Sequence, residues 1–163
     1  MRNLIFFLVF AMILLVSTCE AAVRSRIERT AGGGSIPPAV FVAIAEVESN
    51  LDPTAIGDHG KAKGLFQVHA AATADVNRHY SKGIRHDRGE IFDVEKNATV
   101  AILYLYHLYH SFDGNLLCAI SAYNKGASRI TKNDIKKNCV DHAYVARVME
   151  KFYENLYRAN VGQ

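Results

Sequence analysis

The sequence predicts a mainly helical domain, of the α class or of the α+β class with little β structure. Apolar residues at helical spacing dominate the chain, and the glycines at positions 57, 60 and 64 interrupt a regular period over one short stretch. No internal repeat is visible. The chain has 163 residues, half of them hydrophobic, which suffices for one compact domain with a real core.

The first 21 residues predict a secretory signal peptide. Arg2 precedes an apolar run from Leu4 to Val16, and small and polar residues follow up to Ala21 and Ala22. Because a membrane helix needs about 20 apolar residues, we expect cleavage near position 21 and no stable membrane span afterwards. The predicted location is the periplasm or cell envelope, with secretion, or tethering by a retained leader, as alternatives.

Residues 22–34 predict a flexible N-terminal arm, because this segment is polar and ends in consecutive glycines. The domain itself is expected over residues 35–163. Ser35 can cap its first helix, which continues through an apolar segment to Glu48 or slightly beyond, ahead of Pro53.

Helices separated by short connections are expected in the rest of the domain. The predicted elements are a loop or small hairpin over residues 54–69, a helical segment over 65–76 that overlaps its end, a charged loop over 82–90, and helices over 94–112, 116–123 and from His142 onward.

The distribution of charge argues against a nucleic-acid site. The formal net charge is +3, and the lysines and arginines are scattered, with Lys136 and Lys137 as an adjacent pair. A negatively charged polymer outside the cytoplasm is the better partner for a mildly basic exported domain.

Two cysteines remain once a leader containing Cys19 is removed. They are Cys118 and Cys139, and an exported chain with two cysteines favours one disulfide between them. Two small buried thiols are the alternative, since sequence spacing does not establish bonding distance.

The histidines do not form a recognisable metal-binding pattern. His107 and His110 lie one helical turn apart with Asp113 nearby, but the chain has no zinc-protease helix motif. We therefore predict no metal and no cofactor.

Two glutamates stand one residue apart near the end of the first domain helix. Residues at this spacing point about 200° apart on a helix, so Glu46 and Glu48 cannot share one environment. A carboxyl group against apolar side chains has a raised pKa, as a general acid requires. Periodicity does not choose between the two, and a pair of helix-end carboxylates, one of them in a salt bridge, is the alternative.

Three blocks of residues resemble the catalytic domain of the soluble lytic transglycosylase family, the lysozyme-like enzymes that cut bacterial peptidoglycan. In chain order they are Glu48–Ser49 with Asp52–Pro53 and Gly64–Gln67, then Ala122–Asn124 with Gly126, then Tyr144–Val145 with Arg147–Val148. They extend over nearly the whole predicted domain. The resemblance implies a lysozyme-like fold of the goose-type or lytic transglycosylase kind, and it is nearest to small exported members attached to secretion or conjugation systems, or carried by phages.

Residue by residue, the resemblance implies that Glu48 is the catalytic acid and base. It further implies that peptidoglycan glycan strands are the substrate and that components of a secretion or conjugation apparatus are possible partners. The residues implied to bind the substrate are Ser49, Phe66, Gln67, Tyr123, Asn124 and Tyr144. Gly57 or Asp58 stands where the family often has a serine, and this loop is one residue longer than is common.

The family chemistry uses one carboxylate. Glu48 would protonate the glycosidic oxygen and then deprotonate the primary hydroxyl of the same N-acetylmuramic acid, which closes to an anhydro sugar. Two alternatives remain open. One is a lysozyme-type hydrolase in which an acid such as Asp58 activates water, and the other is an inactive wall-binding or assembly module.

Overall fold

The computed structural model describes residues 2–80, 87–140 and 142–161, and the described chain is mainly helical, as the sequence predicts. Within these described ranges, three short 3-10 turns lie between the longer elements. The helices and strands are α1 (Arg2–Ala31), α2 (Pro38–Ser49), β1 (Ile56–Gly57), β2 (Ala62–Lys63), α3 (Ala70–His79), α4 (Val94–Ser111), α5 (Leu116–Lys125), α6 (Lys132–Lys136) and α7 (Ala143–Val161).

Helix α2 forms the centre of the core. Its residues from Val40 to Ala45 are all buried, because the segment is apolar on every face and is surrounded by other helices. Its principal neighbours are α7 and α1, while α4 packs against α1, α3 and α5. Leu105, Ile120 and Val148 carry the core into α4, α5 and α7.

The segment after the predicted leader differs from the flexible arm expected over residues 22–34. Helix α1 continues to Ala31, and Val23, Ile27 and Ala31 are buried in the core. These three residues recur every fourth position, so they form one apolar stripe among polar neighbours. Gly32, with φ of +58°, follows the helix end, and the glycine-rich part of the expected arm is a turn.

The first half of α1 carries a different kind of surface. Its side chains from Ile5 to Leu15 for which the structure gives an exposure are mostly exposed, although nearly all are apolar. Within the described residues, Ile5–Ala31 is the one helix long and apolar enough to cross a membrane, with a mean hydropathy of 2.3 over an unburied stretch. A signal sequence near the N-terminus has the same properties, and the boundary after residue 21 stays a prediction.

A sharp turn after α2 leads into the small hairpin that the sequence allowed. Asn50 and Leu51 both have positive φ, and β1 then pairs antiparallel with β2, with Gly57 opposite Ala62. Helix α3 begins later than expected, at Ala70, because residues 65–68 form a turn instead of a helix. The predicted charged loop over 82–90 lies mostly outside the described residues.

The connection between α5 and α7 is more ordered than the sequence suggests. It contains α6. The start of this helix is capped by Thr131 and Asp134, whose side chains each accept a hydrogen bond from the other's backbone amide. Cys118 of α5 and Cys139 of this connection form a disulfide, with their Cα atoms 5.1 Å apart. The connection is thereby fixed to α5 immediately before α7 begins.

Candidate active site

Glu48 lies in the last turn of α2 and meets α7 through a hydrogen bond. The Tyr144 hydroxyl donates to Glu48 Oε1 at 2.6 Å. Burial raises the pKa of the Glu48 carboxyl, while the Tyr144 hydrogen bond and the positive charge of Arg147 lower it in part. The sum is a carboxyl group that holds its proton more tightly than an exposed glutamate does.

Glu46 points into a different environment, as the helical geometry requires. Arg24 of α1 forms an ion pair with its Oε1, and Asn155 of α7 donates to its Oε2 at 2.6 Å. Arg24 also donates to Asn155 Oδ1 at 3.0 Å, which closes the triangle. We call these three residues the Glu46 clamp. Sequence reasoning missed it because Arg24 lay in the segment expected to be flexible.

Two tyrosines from different helices approach Glu48. Besides Tyr144, Tyr123 of α5 is close enough that the negative charge of Glu48, together with burial, raises the pKa of its hydroxyl well above the usual value. The same two causes act on Tyr144, with burial the larger. Both hydroxyls therefore stay protonated and act as hydrogen-bond donors, and that of Tyr123 donates to the Phe66 carbonyl at 2.9 Å.

The turn that follows β2 is fixed by one buried side chain, Asn97 of α4. Its Oδ1 accepts from the Phe66 amide at 2.9 Å, and its Nδ2 donates to the carbonyls of Ile91 and Lys63 at 2.7 and 3.0 Å. Gly64 has φ of +74°, and a Cβ there would lie 2.3 Å from Asn97 Nδ2. Asn97 is a polar residue among the buried apolar residues of α4, and this break in the apolar pattern could have marked it in the sequence.

Gln67 reaches the site from this turn with φ of +47°. Its Nε2 donates to the carbonyls of Ala55 and Gly64 at 3.1 and 2.9 Å. Its Oε1 faces Gly57, where an added Cβ would lie 2.3 Å away. The absence of a side chain at Gly57 thus makes room for Gln67.

Two of the predicted substrate-binding residues are used inside the fold. Phe66 has no exposed surface and packs in the core, so its ring does not form a groove wall. The Ser49 hydroxyl donates to the Leu65 carbonyl at 2.8 Å, which joins α2 to the turn, and it also lies 3.2 Å from the Ala45 carbonyl. The apolar ring of Phe66 and the Ser49 hydroxyl, which has its hydrogen-bond partner within the protein, are both suited to positions inside the fold.

A groove of about 550 Å³ opens beside these residues. Gln67, Tyr123 and Asn124 line it together with Tyr104, whose ring centre is 5.7 Å from that of Tyr123. The remaining lining includes polar and charged groups: Asp58, His69, Lys125, Ser128 and Arg129. Tyr123 connects the groove with Glu48, because it lines the first and is close to the charge of the second.

The groups that suggested a metal site are used in aromatic contacts. His107 stacks on His79 with ring centres 4.5 Å apart, and His110 contacts the rings of Tyr106 and Tyr109. Over residues 2–80, 87–140 and 142–161, no group of three or more histidine, cysteine, aspartate or glutamate side chains is arranged to hold a metal ion.

Comparison with protein families identifies one match over most of the chain. The family model described as the transglycosylase SLT domain matches residues 25–145. The matched region begins within α1, includes Glu48 and the groove, and ends just after Tyr144.

Curated relatives match over a shorter stretch. The soluble lytic murein transglycosylases of Escherichia coli K12 and Salmonella typhimurium are each 29% identical, over 103 and 98 residues. These stretches cover 63% and 60% of this chain but 16% and 15% of the relatives' own lengths. The chain therefore corresponds to a small part of each relative.

Two solved structures share the fold. The 70 kDa soluble lytic transglycosylase of E. coli superimposes with a TM-score of 0.66 at 24% identity, covering 85% of this chain and 24% of that one. An inactive mutant of the lytic transglycosylase Slt from Pseudomonas aeruginosa gives a TM-score of 0.65 at 19% identity, covering 87% and 24%. The lysozyme-like, lytic transglycosylase fold predicted from the sequence is confirmed.

Proposed function

This chain belongs to the transglycosylase SLT domain family, and from that premise we propose that it is a peptidoglycan lytic transglycosylase. The proposed reaction cleaves the β-1,4 bond between N-acetylmuramic acid and N-acetylglucosamine and leaves a 1,6-anhydromuramic acid end. The observation that carries the proposal is Glu48, a carboxyl group with a raised pKa held by a tyrosine hydroxyl near a polar groove.

Glu48 acts first as the general acid. Burial favours its protonated form, and Tyr144 occupies Oε1, so Oε2 carries the proton that goes to the glycosidic oxygen. The departing sugar takes this proton, and the acetamido group of the muramic acid stabilises the positive charge that develops on the anomeric carbon.

Glu48 then acts as the general base. The ionised carboxylate takes the proton of the muramic acid's primary hydroxyl, whose oxygen closes on the anomeric carbon within the same sugar. No water is consumed, and Glu48 returns to its protonated form. Arg147 and the Tyr144 hydroxyl stabilise the carboxylate between the two steps, since both favour its charged form.

Substrate binding is assigned to the groove. Gln67 and Asn124 offer hydrogen-bonding groups, and the rings of Tyr104 and Tyr123 offer surfaces on which sugars can stack. Lys125 and Arg129 place two exposed cations along the groove, and this suits a strand that carries carboxylates. Ser49, Phe66 and Tyr144 are assigned supporting positions in place of direct binding, since their hydroxyls or ring are engaged within the protein.

The decisive experiment compares two variants in a peptidoglycan-clearing assay. Glu48→Gln keeps the shape of the side chain but cannot act as a proton donor or acceptor in the reaction, and it is expected to lose nearly all clearing activity. Glu46→Gln serves as the matched control and is expected to retain activity, because Glu46 faces Arg24 and Asn155. Clearing by Glu48→Gln at the wild-type rate overturns the proposal.

One alternative has an observation in its favour. Asp58 lines the groove, where its carboxylate could activate a water molecule in a lysozyme-type hydrolysis. Its Oδ2 lies 3.9 Å from His69 Nε2. Mass spectrometry of the digest distinguishes the two reactions, because hydrolysis yields reducing muramic acid ends and transglycosylation yields anhydro ends. We expect anhydro ends, and we expect Asp58→Asn to leave their formation intact.

We further propose an exported protein that opens the cell wall locally. Residues 1–21 serve as the leader, and the part of α1 from Val23 onward belongs to the catalytic domain. Intact mass measurement of the protein from the cell envelope tests this, since a mature chain beginning at position 22 or 23 is expected. A secretion or conjugation apparatus as partner stays a prediction from the family resemblance.

A further inference from the structure

A buried chain of hydrogen bonds lies next to the proposed site and takes no part in the chemistry above. Ser121 Oγ lies 2.5 Å from His142 Nδ1, and His142 Nε2 lies 2.8 Å from Asp134 Oδ1. Hydrolases use the same three residue types as a catalytic triad. Here Ser121 has no exposed surface, so it cannot reach a substrate as a nucleophile.

Asp134 sets the direction of the hydrogen bond that it shares with His142. Its Oδ2 accepts from the Thr131 amide at 2.8 Å and from the Thr131 hydroxyl at 2.6 Å, and its Oδ1 faces His142. These bonds, those from Thr131 first, hold the pKa of Asp134 well below its usual value. The ionised Asp134 carboxylate accepts a hydrogen bond from Nε2–H of His142, and Nδ1 on the other side of the ring shares a hydrogen bond with the Ser121 hydroxyl.

The chain joins three elements, two of which carry or lead into the tyrosines close to Glu48. Ser121 belongs to α5, Asp134 to α6, and His142 directly precedes α7. The two tyrosines close to Glu48 each stand two residues further along the sequence, Tyr123 after Ser121 and Tyr144 after His142. Since the side chains two residues apart on a helix point nearly opposite ways, Ser121 secures α5 from the face opposite Tyr123.

We infer that His142 is a positioning residue: by bonding Ser121 and Asp134, it fixes the start of α7 so that the Tyr144 hydroxyl stays on Glu48. This inference rests on the proposed function, in which Glu48 is the acid and base. The 2.6 Å bond between Tyr144 and Glu48 leaves little tolerance, and a misplacement of about 1 Å can reduce catalysis by about 100-fold.

The disulfide and His142 secure the same connection at two different points. Cys139 fixes the connection to α5 through Cys118, and the His142 amide donates to the Cys139 carbonyl at 3.3 Å. The disulfide limits how far the connection can move, whereas the side chain of His142 sets where α7 begins. We therefore expect the loss of the His142 side chain to displace Tyr144 while the disulfide still holds the connection to α5.

The test is a double-mutant cycle between His142 and Tyr144, read from kcat, KM and the pH profile. His142→Leu removes both hydrogen bonds, and we expect kcat to fall by no more than about tenfold, the loss expected from removing the Tyr144 hydroxyl itself, while KM changes by less than about threefold. We expect the same change in a Tyr144→Phe background to have little further effect, because the hydroxyl it positions is already gone.

The pH profile gives a second readout that a general loss of stability does not produce. The charged and titratable groups that act on Glu48 are Tyr144 and Arg147 of α7, with Tyr123 nearby on α5. Loss of the Tyr144 bond removes a contribution that lowers the pKa of Glu48. The basic limb of the profile should therefore move to higher pH in His142→Leu, as in Tyr144→Phe.

Controls keep the outcome decisive. His142→Gln retains a donor toward Asp134 and should recover part of the lost kcat, and Asp134→Asn, altered at the outer end of the chain, provides the same test if His142→Leu does not fold. His107→Gln, which changes a histidine stacked on His79, should behave as wild type.

Equal losses from His142→Leu with and without the Tyr144 hydroxyl overturn the inference. Absence of anhydro products from the wild-type protein overturns the proposed function instead.

Discussion

Glu46 and Glu48 occupy neighbouring positions on one helix, yet their surroundings give them opposite tasks. Both oxygens of Glu46 are bonded, to the Arg24 guanidinium and to the Asn155 amide. Glu48 receives a neutral tyrosine hydroxyl on one oxygen. Both carboxyls are withdrawn from solvent, so the chemistry of the partner distinguishes an anchoring carboxylate from one retained for proton transfer.

The physical difference lies in how the cost of burial is offset. An adjacent cation stabilises the ionised form directly, and Glu46 with Arg24 becomes a link between α1 and α2. A neutral hydroxyl offsets the cost in part, and the pKa of Glu48 stays raised despite Tyr144 and Arg147. The two buried carboxylates therefore differ in whether a cation forms a direct ion pair with them, as Arg24 does with Glu46.

The largest expected effect comes from removing each carboxylate in turn. Glu48→Gln should reduce the rate of strand cleavage by about 10²- to 10⁴-fold, the usual contribution of general acid and base catalysis. Glu46→Gln should stay within about threefold of wild type at a temperature where it is folded. Quantification of anhydromuropeptides by mass spectrometry measures both, and equal losses in the two variants would contradict the division of roles.

The next effect is on stability and concerns the Glu46 clamp. Arg24→Ala leaves Glu46 without its cation and should lower the free energy of unfolding by about 2 kcal/mol, less than for a fully buried pair because Arg24 is partly exposed. Urea denaturation measures this change. Glu46→Gln added to Arg24→Ala should restore part of the loss, and a further decrease would argue against an unpaired charge as its cause.

A smaller effect is expected from the partner of Glu48. Tyr144→Phe removes one hydrogen bond and should lower kcat by about tenfold, within the range for a bond to a charged group. It should also move the basic limb of the pH profile upward, because the hydroxyl lowers the pKa of Glu48. A downward movement of this limb would contradict the assignment of Glu48 as the titrating acid.

The smallest effect is a gain in stability from Glu48→Gln. Since the folded-state pKa of Glu48 is raised, this group contributes stability below its unfolded pKa and loses that contribution as the pH rises through the folded pKa. Near neutral pH the glutamine variant should be more stable by about 1 kcal/mol. The gain should disappear below pH of about 4, and thermal unfolding at both pH values measures it.

Much of the proposed site could be predicted from local patterns. The apolar segment before Glu48, the turn with Gly64 and the helix end at Gly126 all leave signals within a few residues, and the family resemblance then chose Glu48 over Glu46. Helical geometry alone showed that the two glutamates face different ways. The fold class followed from the same periodicities.

The remaining parts depend on contacts between distant residues. The role of Asn97 depends on its hydrogen bond from the amide of Phe66, which lies 31 residues away in the sequence. The link between Ser121 and His142 joins residues 21 apart, in segments that the sequence treated separately. The segment after residue 22 was predicted to be flexible because its polar residues hid a stripe of three apolar ones.

The Glu46 clamp also determines when the domain can close. Arg24 and Asn155 are separated by 131 positions, so residues just after the predicted leader bond a helix that is synthesised after α1 to α6. Until α7 is available, Val23 and Ile27 lack part of their final surroundings and Glu46 lacks one of its partners. For the exported protein proposed above, we therefore expect folding to be completed only when α1 and α7 are on the same side of the membrane.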